Sequence, residues 1–219
     1  MFNRFITSRN IVALIITWAL LSSCVNPSLT DSIPTVVEIQ PLPTPASTLP
    51  GLIENLSHEQ PRVRIVSSYE LLNYDPDEVV VAIPRLTENL HYDSVYVQES
   101  AAIVLGWLGR RAQDTVPDLI DIVESSNTFI RIRAAAAKAL GKIEDTSAVP
   151  ALAKQLNQSS NSHYTLEIES ANSIAKLTNQ DFREVDEVVH TLSVDGVPWI
   201  VIDARNWWEN EGQYQKWDD

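Results

Sequence analysis

Cysteine is nearly missing from this 219-residue chain. Cys24 is the only one, so no intrachain disulfide can form and no zinc site built on several thiolates is available. Glycine is scarce too: six residues leave nothing from which to build a Gly-rich phosphate loop. Positive charge runs short, with 16 Lys and Arg against 29 Asp and Glu and a net charge of −13. Nucleic-acid binding, which needs clustered cations to neutralise phosphates, is excluded as the expected activity, as is electrostatic docking on anionic lipid. There is also no apolar run long enough to span a bilayer, for which about 20 residues are needed. The longest, residues 11–21, holds eleven residues and is interrupted by Thr17.

That short run has a different meaning. Arg4 and Arg9 precede it, and Leu21, Ser22, Ser23 and Cys24 follow it. A positive start, an apolar centre and small residues before a cleavage point describe an export signal and not part of the fold. The last four residues resemble a bacterial lipobox. That resemblance implies cleavage before Cys24 and acylation of its thiol, palmitate being the expected chain. Residues 1–23 are then the signal peptide, and their loss moves the net charge to −15, because Arg4 and Arg9 leave with them. Several acyl chains, at about 0.8 kcal/mol per buried methylene, make the attachment stable. The alternatives are an ordinary cleaved signal and a short N-terminal anchor with an incidental cysteine. Residues 24–49 carry Pro27, Pro34, Pro41, Pro43 and Pro45 among Ser and Thr. This composition favours extended backbone and reads as a tether, reaching roughly 75 Å if fully stretched. The other reading packs part of it on the fold.

From residue 50 the chain repeats itself. Pro50, Pro84, Pro117 and Pro150 are each followed by apolar residues two and six positions on: Leu52 and Leu56, Leu86 and Leu90, Leu119 and Val123, Leu152 and Leu156. That spacing lies on one helical face. Between these segments a second pattern returns: Ser67, Ser68 and Leu71; Ala101, Ala102 and Leu105; Ala136, Ala137 and Leu140; Ser170, Ala171 and Ile174. Small residues there let helices approach closely, and the larger residue fills the gap between layers. Asp75, Pro76 and Glu78 form a helix-start signal, which explains this acidic group without invoking calcium, the other reading of Asp75, Asp77 and Glu78. Asp114 and either Thr146 or Ser147 are expected to open the following first helices. The second helix of the third unit, residues 130–143, is expected to end near Gly141.

A pair of helices of about 34 residues repeated four times predicts an all-α fold, an α-solenoid. The run around Arg133, Ala136, Ala137, Leu140 and Gly141 resembles HEAT-like repeats of the phycobilin-lyase type. The resemblance covers residues 50–182 and weakens in the first and fourth copies, where Asn73 and Ala175 replace the glycine. The solenoid is placed at 50–180 and a C-terminal capping segment at 181–219. Thr178, Asn179, Asp181 and Phe182 resemble the turn that precedes a Trp-rich closing helix in such proteins, with Asn179 in place of glycine. An extra helix is expected over 182–192, with Val185, Val188, Val189 and Leu192 on one stripe and Glu184, Asp186 and Glu187 on its wet face. Asp195 and Gly196 read as a turn, and residues 198–210 as the closing helix.

Chemistry is hard to find. His58, His91, His163 and His190 offer no i, i+4 pair for a metal. Related HEAT-like hydroxylases bind iron through repeated His-Glu pairs, whereas this chain has one, His58 and Glu59. The lyase resemblance rests on scaffold residues and carries no reaction. No catalytic residue and no cofactor are expected. An enzyme related to those lyases or hydroxylases is the alternative to a protein-interaction scaffold anchored in the bacterial envelope.

The resemblance puts the second helix of each pair on the concave face. There the charges alternate along the stack: Arg62 and Arg64, Glu99, Arg131 and Arg133, Glu167 and Glu169. They read either as an ion-pair ladder or as a patterned groove for a protein partner that the sequence leaves unidentified. Trp207 and Trp208 lie about 100° apart on a helix and cannot bury equally. One caps the stack and the other is a candidate interface anchor.

Overall fold

The computed structural model describes residues 48–157, 165–182 and 196–217, all within one compact unit, residues 43–219. The signal segment, Cys24, the tether up to residue 47 and most of the expected helix over 182–192 lie outside the described residues. Among the described residues the fold is all-α: ten α-helices joined by turns and 3₁₀ segments, with no strand. They are α1 Leu49–Asn55, α2 Pro61–Glu70, α3 Pro76–Val79, α4 Ile83–Leu90, α5 Val95–Leu108, α6 Val116–Glu124, α7 Ile130–Ile143, α8 Val149–Gln155, α9 Thr165–Thr178 and α10 Trp199–Asn210.

Four hairpins result: α1 with α2, α4 with α5, α6 with α7, and α8 with α9. Each repeated proline sits in the first turn of its first helix, where its missing N–H costs no hydrogen bond. The residues two and six positions later are buried in all four copies, as are Leu105, Leu140 and Ile174 of the second helices and Leu71, just past the end of α2. These side chains join one continuous core. The second helices stack directly, α2 on α5, α5 on α7 and α7 on α9, and α10 then packs on α9. This is an α-solenoid with a fifth helix closing one end.

Glycine sets how closely the second helices approach. A Cβ on Gly106 would lie 2.8 Å from the Cα of Ala139, and one on Gly141 would lie 2.4 Å from Ser173 Oγ and 2.9 Å from its Cα. Each glycine of α5 and α7 thus faces the next repeat's second helix. α7 spans Ile130–Ile143, the range read from the sequence, but Gly141 lies inside it and Glu144, not a glycine, takes the left-handed conformation beyond it, at φ 65°. Asn179 also adopts positive φ, 53°, as its replacement of glycine implied.

The caps are partly as read. Asp75 accepts a hydrogen bond from the Asp77 N–H at 2.8 Å. The other two starts differ. Asp114 lies inside a 3₁₀ segment, Gly109–Thr115, and caps nothing. Asp145, and not Thr146 or Ser147, accepts from the Ser147 N–H and hydroxyl, at 3.0 and 2.6 Å.

Two outer copies of the small-residue motif carry Ser where the inner copies carry Ala. The Ser67 and Ser170 hydroxyls are buried with no hydrogen-bond partner among the described residues. An unpaired buried hydroxyl is costly, and Ala is the better helix former. The double variant Ser67→Ala, Ser170→Ala is expected to be more stable by about 1–2 kcal/mol. Urea unfolding followed by circular dichroism checks this, and an unchanged or lower midpoint would refute it.

Candidate functional site

The charged positions selected from the sequence separate into surface and interior. Arg131, exposed on α7, reaches Glu99 of α5 at 2.7 Å, and its guanidinium lies 5.3 Å from the centre of the Tyr96 ring. One repeat further on, Lys138 meets Glu169 of α9 at 3.3 Å. Similar pairs tie neighbouring repeats elsewhere: Lys154 to Glu124 at 2.7 Å, Arg110 to Glu144 at 2.9 Å, and Arg111 to Asp77. The ladder is real, although Lys138, not Arg133, is the rung opposite Glu169. Hydrogen bonds from Arg110 and Lys176 hold the Glu144 carboxyl below the usual range, and the Arg111 hydrogen bond does the same for Asp77. Exposed pairs of this kind contribute little to stability. Arg62 is exposed on the first turn of α2.

Arg64, Arg133 and Glu167 hold equivalent places in α2, α7 and α9, and they point inward. Arg133 is 5% exposed and Glu167 0%, so neither can line an accessible groove. Arg133 Nε donates to the carbonyl of Val123 at 2.9 Å, at the end of its own first helix, and Nη2 donates to Gln155 Oε1 on the next first helix at 2.6 Å. Burial lowers its pKa, and the Glu167 charge works against that lowering. Arg64 repeats the device. It donates to His58 O and to Asn89 Oδ1, both at 2.6 Å, and its guanidinium lies 4.1 Å from the centre of the Tyr92 ring. Asn89 in turn donates to Leu56 O at 3.0 Å. Each arginine therefore bonds a carbonyl at the end of one first helix, or in the turn just after it, and grips the next. They are structural staples between repeats.

The tryptophans close the stack. Trp207 is 7% exposed and packs on Phe182 with ring centroids 6.0 Å apart. Trp208 is half-buried, stacked on Trp217 at 6.5 Å. Gly212 makes room: a Cβ there would lie 2.7 Å from both the Trp207 and Trp208 rings. Arg205 donates to Leu156 O at 2.6 Å, extending the staple pattern to α10. The candidate anchor Trp208 is thus partly covered by its neighbours.

What the outer surface of the second helices does expose was not selected from sequence. Tyr69 and Tyr96 are exposed, the latter 58%, together with Phe129 and Ile130 at the start of α7. Tyr69 lies near Glu99 and Arg131; its phenol pKa is raised by burial and by Glu99, and Arg131 opposes the rise. A cleft of about 410 Å³ opens among Glu99, Ile103, Ile130, Arg131, Lys138 and Glu169. Tyr96 and Arg131, and Ile103 and Lys138, occupy corresponding positions in successive repeats, so the periodicity alone could have pointed to this strip. Among the described residues no three His, Cys, Asp or Glu side chains converge on a metal position, and His58 Nδ1 accepts from the Gln60 N–H at 3.0 Å.

Residues 83–172 match the family model of HEAT repeats. That stretch of the stack is similar to HEAT repeats. No curated protein matches the chain. The matched stretch runs from the second repeat into the fourth second helix and contains the cleft, the Glu99–Arg131 and Lys138–Glu169 pairs and the Arg133 staple. The first hairpin and the Trp-rich closing helix fall outside it.

Proposed function

We propose that this chain is a lipid-anchored protein-interaction scaffold of the bacterial envelope, which binds a partner on the second-helix face of its HEAT-like repeats and catalyses no reaction. One observation carries the proposal: Tyr69, Tyr96, Phe129 and Ile130 are exposed along a face that also carries the Glu99–Arg131 and Lys138–Glu169 pairs. Aromatic side chains with open faces are the residues that dominate protein interfaces. HEAT repeats suggest the same class of role. The lipobox residues ending at Cys24 support attachment to the inner or outer membrane, facing the periplasm or the exterior, and the Pro-rich stretch after it supports a leash that concentrates the scaffold near its partner.

Two measurements in intact cells test the two halves. A photo-crosslinking residue in place of Tyr96 is expected to give a discrete protein adduct, whereas one in place of Tyr214, exposed beyond α10, is not. Absence of any adduct at Tyr96 would remove the scaffold role. Cys24→Ser is expected to abolish incorporation of labelled palmitate and leave an unprocessed precursor, and unchanged labelling would remove the anchor.

A further inference from the structure

The second-helix face has a polarity opposite to that of the chain as a whole. Beside the cleft bounded by Glu99 and Arg131 lies a second one of about 270 Å³, between α5 and α7, and the two share Ile103, Ala135 and Lys138. Together they form one trough. Its ionic side chains are Glu99, Arg131, Lys138, Lys142 and Glu169. Both acids are already engaged, Glu99 by Arg131 and Glu169 by Lys138. Lys142 is exposed and makes no ion pair or hydrogen bond among the described residues. The surplus charge of the trough is positive in a protein whose net charge is −13.

We infer that the trough takes an extended segment of a partner protein in which an acidic residue stands next to an aliphatic one. The carboxylate meets the Lys142 ammonium, and the aliphatic side chain lies against Ile103 and Ala135. An isolated carboxylate matches one unspent ammonium, whereas a polyanion would meet the negative field of the rest of the molecule. The apolar component follows from the lining: beside the ionic groups and the Thr165 hydroxyl it is made of the aliphatic Ile103, Ile130, Ala134 and Ala135. A basic segment would place its charge against Lys142 and find both glutamates taken. This inference rests on the second-helix face being the binding face, as proposed above.

The test is a random-peptide phage library selected on the full chain in detergent micelles, with Lys142→Glu and Lys142→Met run beside it. Circular dichroism confirms that both variants fold; Lys142→Met keeps the stem of the side chain and removes only its charge. The expected result is enrichment of sequences pairing Asp or Glu with Leu, Ile or Val. Synthetic peptides of those sequences should bind about tenfold more weakly to Lys142→Met, the effect of losing one charge-assisted hydrogen bond, and more weakly still to Lys142→Glu. Enriched peptides that bind both variants as well as the parent would overturn the inference and leave the scaffold role standing. A selection that enriches nothing, with no adduct at Tyr96 in cells, would remove both. Displacement of the peptides by a single-stranded oligonucleotide, or self-association of the chain that Lys142→Glu abolishes, would assign the trough to another occupant and likewise overturn it.

Discussion

Gly141→Leu is expected to cost about 3 kcal/mol of stability, which for a chain of this size lowers the melting temperature by roughly 10 °C. The first carbon of any side chain there would stand 2.4 Å from Ser173 Oγ and 2.9 Å from Ser173 Cα. A hydroxyl can rotate away; a backbone carbon cannot. Relief requires α9 to move off α7, which also stretches the bond from Ser173 Oγ to the carbonyl of Ala137, now 2.8 Å. Helix propensity works the other way, because replacing an interior glycine gains up to about 1 kcal/mol. Packing wins because the clash involves the main chain of a helix held in a close-packed layer. Gly196→Ala provides the contrast: nothing lies within 4 Å of the added carbon, but φ is +77°, and backbone strain alone should cost about 1 kcal/mol. Thermal and urea unfolding of both variants distinguishes the two mechanisms. An unchanged midpoint for Gly141→Leu would mean that α7 and α9 do not meet there.

Arg133→Met is expected to cost a similar amount, about 3 kcal/mol. Methionine keeps most of the stem volume, so the loss reports the guanidinium and not a cavity. Val123 O and Gln155 Oε1 lose a charge-assisted donor, and Glu167 loses a nearby positive charge in a buried setting. Arg133→Lys should fall between, since one ammonium cannot serve both acceptors in the same geometry. Arg131→Ala, two residues earlier on the same helix, should cost much less, because the Arg131 side chain is 58% exposed and carries no buried partner load comparable to that of Arg133. Equal effects of the Arg131 and Arg133 changes would contradict the division between surface rung and interior staple.

That division shows how far the sequence could be read. The 34-residue period, the proline that opens each first helix and the buried pair after it follow from local rules, and the structure shows every copy. Arg133 and Glu167 read as surface charges because an ionic residue early in a helix usually faces water. Their burial depends on acceptors from other elements, Val123 and Gln155 for Arg133, which spacing within one helix does not display. A second copy of the staple was nonetheless present in Arg64 and Asn89, one hairpin apart. Gly141 misled for a related reason: a glycine near a helix end signals termination only when its own backbone needs positive φ, and here the need belongs to α9. The starts of α6 and α8 were blurred by the 3₁₀ turns that precede them, which moved the cap at Asp145 one residue earlier. The exposed strip of Tyr69, Tyr96 and Ile130 draws one residue from each of three helices, so no spacing within a single helix displays it.

The glycine contacts make the middle of the molecule modular. Gly106 receives Ala139 and Gly141 receives Ser173, so the unit bounded by these two joints presents one half of the same joint at each edge. Duplicating residues 109–143 would insert another hairpin between compatible neighbours, with the Trp-rich plug at one terminus and α1 at the other left untouched. The span available for gripping an elongated ligand could therefore change by whole steps, through gene duplication alone, without inventing any new buried interface.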